Sequence, residues 1–193
     1  MTSNNLILAS SSPRRQEVLN QVHIPFSLRK QNFDESLITE TDPHKKVEQL
    51  AWNKGKDVHI QDGEVILSAD TVVSYQGKIF EKPASEDEAR EMMRSMSGDV
   101  HEVITGVYIC SKENEVLFTE TTEVEFWEIA EEELDWYVKT EDPYDKAGAY
   151  GIQSLGAMFV KRINGDYYTV MGLPVSRVVK ELKDFSIYPF PPN

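Results

Sequence analysis

Cysteine is almost missing from this chain. With Cys110 alone, an internal disulfide and a cysteine-based zinc site are both excluded. Such usage suits a reducing cytoplasm. Long apolar runs are missing as well. No stretch approaches the roughly 18 apolar residues of a membrane-spanning helix, and Leu6-Ile7-Leu8-Ala9 near the N-terminus is too short for a signal peptide. Positive charge is scarce: 20 Lys and Arg stand against 33 Asp and Glu, a net charge of −13. That excess repels nucleic acid and anionic membranes. It also repels a triphosphate, so any phosphate site must be a local gathering of Lys, Arg and backbone N–H groups. The G-x-x-x-x-G-K-[ST] phosphate loop is absent, which removes kinase and P-loop ATPase readings. H-E-x-x-H and G-x-S-x-G are absent too. The four histidines are scattered and suggest no site. There is no internal repeat, low-complexity segment or linker.

What remains is an ordinary globular composition. The 193 residues are 40% hydrophobic and 27% charged, enough for one sizeable domain with a real core. Leu6 to Ala9 reads as a buried strand. Ser12 and Pro13 then form a cap-plus-proline helix start, with Val18, Leu19 and Val22 as the apolar stripe and Pro25 as the stop. Asp42-Pro43 opens a second helix with Val47, Leu50, Ala51 and Val58 on its stripe. Val65 to Tyr75 is a strand that Gln76-Gly77 turns into Lys78-Ile79-Phe80. Ser85 to Glu88 is a capping box, and Ala89, Met92, Met93 and Met96 form a core face that Gly98 ends. Val103 to Cys110 and Val116 to Trp127 are strands joined near Glu113-Asn114. Glu131 to Thr140 is a helix with an acidic first turn. Asn164-Gly165 predicts a hairpin between Ala157–Ile163 and Tyr167–Val170. Gly172-Leu173-Pro174 opens a last helix through Val175, Val178, Val179 and Leu182. The expected class is α/β with a mixed sheet, as one domain over residues 1–187, with 188–193 a loose tail.

Six segments could carry chemistry. In Ser10-Ser11-Ser12-Pro13-Arg14-Arg15 a strand meets a helix N-terminus, where backbone N–H groups and the dipole favour an anion. Two arginines there oppose the dipole unless a polyanion is bound; the alternative is two exposed arginines. Asp70 sits among Leu67, Val72 and Val73, where an unpaired carboxylate is expensive. It is paired structurally, binds a metal, or faces a site at its strand's end. Lys54 falls on the apolar stripe of the second helix, seven after Val47 and four after Leu50. A lysine there must snorkel or face something anionic. Lys82, between Glu81 and Pro83, is either a phosphate ligand or a solvated lysine. Asp34-Glu35 either holds Mg²⁺ or decorates a loop. The small residues of Asp145-Lys146-Ala147-Gly148-Ala149-Tyr150-Gly151-Ile152-Gln153 either admit a ligand to the backbone or make a tight loop.

In order, Ser10 to Arg15, Ser68-Ala69-Asp70-Thr71-Val72-Val73, Glu81-Lys82-Pro83, Ser97-Gly98, His101 to Val107, Asp145 to Gln153 and Gly165 to Pro174 resemble the motifs of the Maf family, from about Leu6 to Phe185. The resemblance implies a two-lobed fold like that of inosine triphosphate pyrophosphatases, a mixed twisted sheet with flanking helices and a central cleft. It implies cleavage of a nucleoside triphosphate between its α- and β-phosphates with a divalent metal, Mg²⁺ or Mn²⁺. By position, Asp70 matches the proton acceptor, and Lys54 and Lys82 match substrate-binding lysines beside Arg14 and Arg15. Glu35 matches an acidic metal-site residue, with Asp70 as a second metal ligand. Arg14, Thr71 and Gln153 match the residues linked to base choice. Thr71 and Gln153 are similar to the branch acting on dTTP and UTP, modified pyrimidine nucleotides included. The 7-methyl-GTP branch carries Gln and Glu there instead. Gly55 departs from the alanine of many relatives and should weaken its helix by roughly 0.5–1 kcal/mol. Relatives are often dimers, so a homodimer is the implied assembly. Nucleic acid and membrane are not expected partners. The competing readings are a slow nucleotide-binding regulator of cell division and a 7-methyl-GTP-type pyrophosphatase.

Overall fold

The computed structural model describes residues 4–189. Strand β1 (Asn5–Leu8) leads into helix α1 (Pro13–Gln21), and the chain returns as β2 (Phe26–Leu28). β2 runs parallel to β1, with Leu6 opposite Phe26 and Leu8 opposite Leu28. Parallel neighbours need a crossover, and α1 supplies it. Strand β2 has no counterpart in the sequence reading: it is three residues long and ends on Leu28, 55% exposed, so it shows no alternation. A 3₁₀ turn (Glu35–Leu37) and helix α2 (Pro43–Lys56) lead to β3 (Glu64–Tyr75), which pairs parallel with β1. β4 (Lys78–Phe80) folds back antiparallel on β3. Next come α3 (Glu86–Met96), β5 (Val100–Cys110), β6 (Glu115–Phe126) and α4 (Glu131–Tyr137). β7 (Val160–Asn164), α5 (Tyr167–Met171) and α6 (Val175–Leu182) complete the order. The strands form one mixed sheet in the order β2-β1-β3-β5-β6-β7, with β4 on β3. The expected mixed α/β architecture is borne out. Helix α4 stops at Tyr137, three residues short of the expected Thr140. Tyr188 and Pro189 carry no regular structure, and the rest of the expected tail lies outside the described residues. No described helix is long and apolar enough to cross a membrane.

The chain packs as two compact units: Met1–Asp70 with Thr105–Glu120 and Gly172–Asn193, and Thr71–Ile104 with Thr121–Met171. In the first, Ile7, Ala9, Ala51, Val58, Ile66, Tyr108 and Cys110 form a buried cluster. Helix α2 starts as expected, with the Asp42 carboxylate accepting from the Lys45 amide at 3.1 Å. Glycine lets it approach β5. A Cβ on Gly106 would lie 2.5 Å from the Val47 carbonyl oxygen. A Cβ on Gly55 would lie 2.5 Å from the Tyr108 ring and 2.7 Å from the Ser68 hydroxyl, which donates to the Ala51 carbonyl. Gly55 is therefore more than the helix weakener of the sequence reading: it makes room for the Tyr108 ring.

In the second unit the methionine stripe is core, as expected. Met92, Met93 and Met96 join Val73, Val103, Phe126, Tyr137 and Phe159 in one cluster. Ser85 caps α3 by accepting from the Glu88 amide at 3.1 Å, while Glu88 reaches the Ala84 amide at 2.7 Å, one residue before the usual capping-box partner. Gln76 and Gly77 both take positive φ, 48° and 77°, the pair a tight hairpin needs. Asn164-Gly165 does not close the expected hairpin. β7 begins at Val160, after a 3₁₀ turn (Leu155–Phe159), and Tyr167–Met171 is helical. The turn signal loses to a cap: the Asp166 carboxylate accepts from the Thr169 amide at 2.8 Å and hydroxyl at 3.0 Å. Gly165, at φ 136°, lies so close to Thr122 that a Cβ would sit 2.6 Å from its hydroxyl.

His101 is part of this core and only 1% exposed. Its Nε2 lies 2.7 Å from the Tyr150 hydroxyl, and Phe126 meets the ring edge-on at 4.6 Å. Its Nδ1 has no hydrogen-bond partner, so a second ring proton would have no acceptor. Burial pushes the imidazole down to about 3, against the opposing charge of Asp99.

Two outcomes are expected. Gly106→Ala drives a methyl into the Val47 carbonyl and should cost about 1–3 kcal/mol, read from the urea midpoint; an unchanged midpoint would contradict the packing. Between pH 6.5 and about 3 the folded His101 binds fewer protons than the unfolded chain, so the stability present above pH 6.5 falls as pH drops. At pH 5 this site should contribute about 2 kcal/mol less than at pH 7. Urea unfolding of wild type and His101→Gln at both pH values measures the difference, and identical pH dependence in the two proteins would refute it.

Candidate active site

The helical spacing that placed Lys54 on the buried face of α2 sends its ammonium to two carboxylates. Lys54, 6% exposed, lies with Nζ 2.5 Å from Asp70 Oδ1 and 2.9 Å from Glu35 Oε1. Asp70 follows the buried Ser68 and Ala69 in β3, and its side chain is 13% exposed. Glu35 opens the 3₁₀ turn that Asp34 caps. The Asp34 carboxylate accepts from the Ser36 amide at 3.0 Å and hydroxyl at 2.7 Å. The Ser36 hydroxyl, then the Ser36 amide, hold Asp34 below its ordinary pKa. The acidic pair thus divides its work: Asp34 shapes the turn and Glu35 meets the lysine.

At the start of α1 the structure pins Arg15. Its Nε donates to the Gly172 carbonyl at 2.7 Å and its Nη1 to the Ser10 hydroxyl at 3.2 Å. Burial lowers its pKa, the charges of Asp70 and Glu35 raise it, and Arg14 lowers it further. Arg15 therefore lies within the electrostatic reach of the Lys54 carboxylates. Arg14 is half-buried beside it. Ser12 occupies the N-cap position but makes no side-chain cap hydrogen bond. The N-terminus of such a helix favours an anion through its amides and dipole.

In the second unit, Thr71 follows Asp70 in β3 and is half-buried. Lys82 is exposed between Glu81 and the buried Pro83. Gln153 is exposed on the loop after a 3₁₀ turn (Ala147–Ala149). Part of that loop's small-residue pattern serves packing: a Cβ on Gly148, at φ 69°, would lie 2.7 Å from Val73. The sequence reading missed Ser10 as an anchor of Arg15. It also missed Asp142, which bonds the loop on both sides of Gln153. Asp142-Pro143 repeats the cap-plus-proline signal of Asp42-Pro43, so the pattern was present but opens only a 3₁₀ turn (Asp142–Asp145).

The residues present fit a hard divalent cation. Carboxylate oxygens from two separate elements already meet on one cationic atom, the Lys54 nitrogen. No group of three or more potential metal-ligating side chains occurs among the described residues. The remaining coordination would fall to water and substrate phosphates, the usual arrangement for Mg²⁺.

Comparison with known proteins places this chain in a family. The chain matches the family described as Maf-like protein over residues 5–185. It is 49% identical over 183 residues to a protein of Bacillus cereus (strain G9842) described as dTTP/UTP pyrophosphatase, covering 94% of this chain and 96% of that one. A protein of Bacillus thuringiensis subsp. konkukian (strain 97-27) with the same description is 48% identical over the same shares of each chain. Among solved structures, a HAM1 protein from Coxiella burnetii has a similar fold: TM-score 0.52 at 13% identity, covering 94% of this chain and 99% of that one. That likeness speaks for the fold alone. The family match and the two sequence relatives span nearly the whole chain, and the chain belongs to the Maf family.

Proposed function

We propose that this chain hydrolyses dTTP and UTP, and modified pyrimidine nucleotides of the same shape, between the α- and β-phosphates. The products are a nucleoside monophosphate and pyrophosphate. The observation that carries this reading is the buried Lys54 ammonium held by Asp70 and Glu35, with Arg15 in the same field. In a chain of net charge −13, a buried cation meeting an acceptor carboxylate beside a helix N-terminus is the equipment an anhydride hydrolysis needs. The descriptions of the relatives support the substrate.

Arg14, Arg15, Lys54 and Lys82 hold the triphosphate and offset its charge. Arg is suited to this because its fork matches two phosphate oxygens at once. Asp70 orients a water for in-line attack on the α-phosphorus and takes its proton. The bond from that phosphorus to the bridging oxygen breaks, and pyrophosphate leaves with the electron pair. A bound Mg²⁺ or Mn²⁺, held by Glu35 and Asp70, would neutralise phosphate charge and polarise the scissile anhydride. Positioning and charge stabilisation supply most of the acceleration. Arg14, Thr71 and Gln153 choose the base; the Gln153 amide offers one donor and one acceptor to a uracil or thymine edge.

Residues 1–187 act as one functional domain, which the family match over 5–185 supports. The enzyme works in the cytoplasm, in keeping with its lone cysteine. The nucleotide is its partner, without nucleic acid or membrane, and the assembly is a homodimer.

The expected outcome with Mg²⁺ or Mn²⁺ is stoichiometric pyrophosphate from dTTP and UTP; orthophosphate as the first product, or nucleotide binding without turnover, would overturn the reading. Asp70→Asn should retain the nucleotide and lose about 10²–10⁴-fold in kcat. Wild-type turnover in that variant would remove Asp70 from the mechanism.

A further inference from the structure

A glutamine amide matches uracil in one orientation and cytosine in the flipped one, because the two bases exchange donor and acceptor at that edge. Selectivity from Gln153 therefore depends on holding the amide still. Its loop has no regular strand or α-helix between the 3₁₀ turns Ala147–Ala149 and Leu155–Phe159. One carboxylate holds it instead. Asp142 Oδ2 accepts from the Ser154 hydroxyl at 3.0 Å, the Gly156 amide at 3.1 Å and the Tyr137 hydroxyl at 2.8 Å. The first two bonds secure the chain just after Gln153. The Lys146 ammonium, 3.3 Å from Asp142 Oδ1, also donates to the Asp142 carbonyl at 2.7 Å and to Asp145 at 2.6 Å. Its stem lies against Gly151, where a Cβ would meet Lys146 Cδ at 2.7 Å. Lys146 thus packs closely beside the chain just before Gln153. The Ser154 hydroxyl and amide also lie 3.3 and 3.4 Å from the Gly151 carbonyl oxygen, closing the turn around Gln153.

Two further observations mark this loop as imposed rather than relaxed. Ala149 sits at φ 64°, a left-handed conformation disfavoured for alanine that persists only where the surroundings enforce it. Its carbonyl oxygen lies 3.0 Å from the same Tyr137 hydroxyl that reaches Asp142. The Asp142 side chain is only 10% exposed. Burial works against its ionisation, but Ser154, Tyr137, Gly156 and Lys146 outweigh it and hold the carboxyl below its ordinary pKa. An ionised acceptor with this set of donors is stronger than a set of neutral bonds.

We propose that Asp142 is a positioning residue for base choice: it clamps the turn on both sides of Gln153, so that the amide meets the pyrimidine in one orientation. The proposal rests on the assignment of Gln153 to the base. A clamped loop has less freedom to lose when the base binds. Releasing it should tax the base-reading part of binding and spare the phosphate chemistry.

The test measures kcat and KM for UTP, dTTP and CTP, with thermal unfolding, in Asp142→Asn, Asp142→Glu, Ser154→Ala and Gln153→Ala. Asp142→Asn keeps the shape and removes the charge. It should raise KM for UTP and dTTP about tenfold, leave kcat within about threefold, and cut the UTP-over-CTP preference about tenfold. Asp142→Glu should recover at least half of that preference on a logarithmic scale. A wild-type preference in Asp142→Asn would overturn the proposal, even if its unfolding temperature drops, because Asp142 would then only support the fold. Should Asp142→Asn fail to fold, Ser154→Ala decides: a reduced preference supports the clamp and an unchanged one overturns it. An unchanged preference in Gln153→Ala would sink the base assignment and the proposal with it. A changed preference there with none in Asp142→Asn would sink the proposal alone.

Discussion

Lys54 carries its charge where only 6% of the residue reaches solvent, and Asp70 and Glu35 are what make that burial tolerable. The dependence runs both ways. Without the ammonium the two carboxylates would lose the cation they share, and their mutual repulsion would rise. One atom therefore ties α2, the middle of β3 and the Glu35 turn together. The packing that brings α2 into place is demanding. Gly106 admits the Val47 carbonyl and Gly55 admits the Tyr108 ring, each at a distance no side chain would allow. A helix displaced by one methyl group would carry Lys54 with it.

The acidic composition gives this arrangement its chemical meaning. Other cations of the first unit are matched to acids: Arg29 with Glu64, Lys56 with Glu115, Lys112 with Asp62 and Arg177 with Glu120. Arg15 bonds the Gly172 carbonyl and the Ser10 hydroxyl, which fix its direction. In a molecule whose overall field repels a polyanion, Arg15 and Lys54 are cations held in fixed positions in the field of Asp70 and Glu35. A low local dielectric makes each such charge count for more than it would in water.

Most of the architecture could be read from periodicity and punctuation. The cap-plus-proline starts at Pro13 and Pro43, the methionine stripe and the Gln76-Gly77 hairpin all appear where the pattern put them. The misreadings share a cause. Strand β2 is too short to show a period, and its pairing with β1 comes from elsewhere in the chain. At Asn164-Gly165 a sound local signal yields to the Asp166 cap and to contact with Thr122, more than 40 residues away in sequence. In the candidate site, the sequence made Lys54 conspicuous by its place on an apolar stripe, but it did not name the partners.

Residue types and spacing by themselves determined that this is a mixed α/β protein, that its cations are few enough to matter, and that Asp70 and Lys54 occupy positions where a charge must be satisfied. These follow from helical and strand periods and from the cost of burying charge, which are local properties. Only the tertiary structure decided which charges satisfy one another, that Asp34 caps while Glu35 reaches the lysine, that Gly55 exists for the Tyr108 ring, and that Asp142 holds the turn bearing Gln153. Those outcomes depend on contacts between segments far apart in the chain, and no local pattern encodes the distance between two side chains that the fold alone brings together.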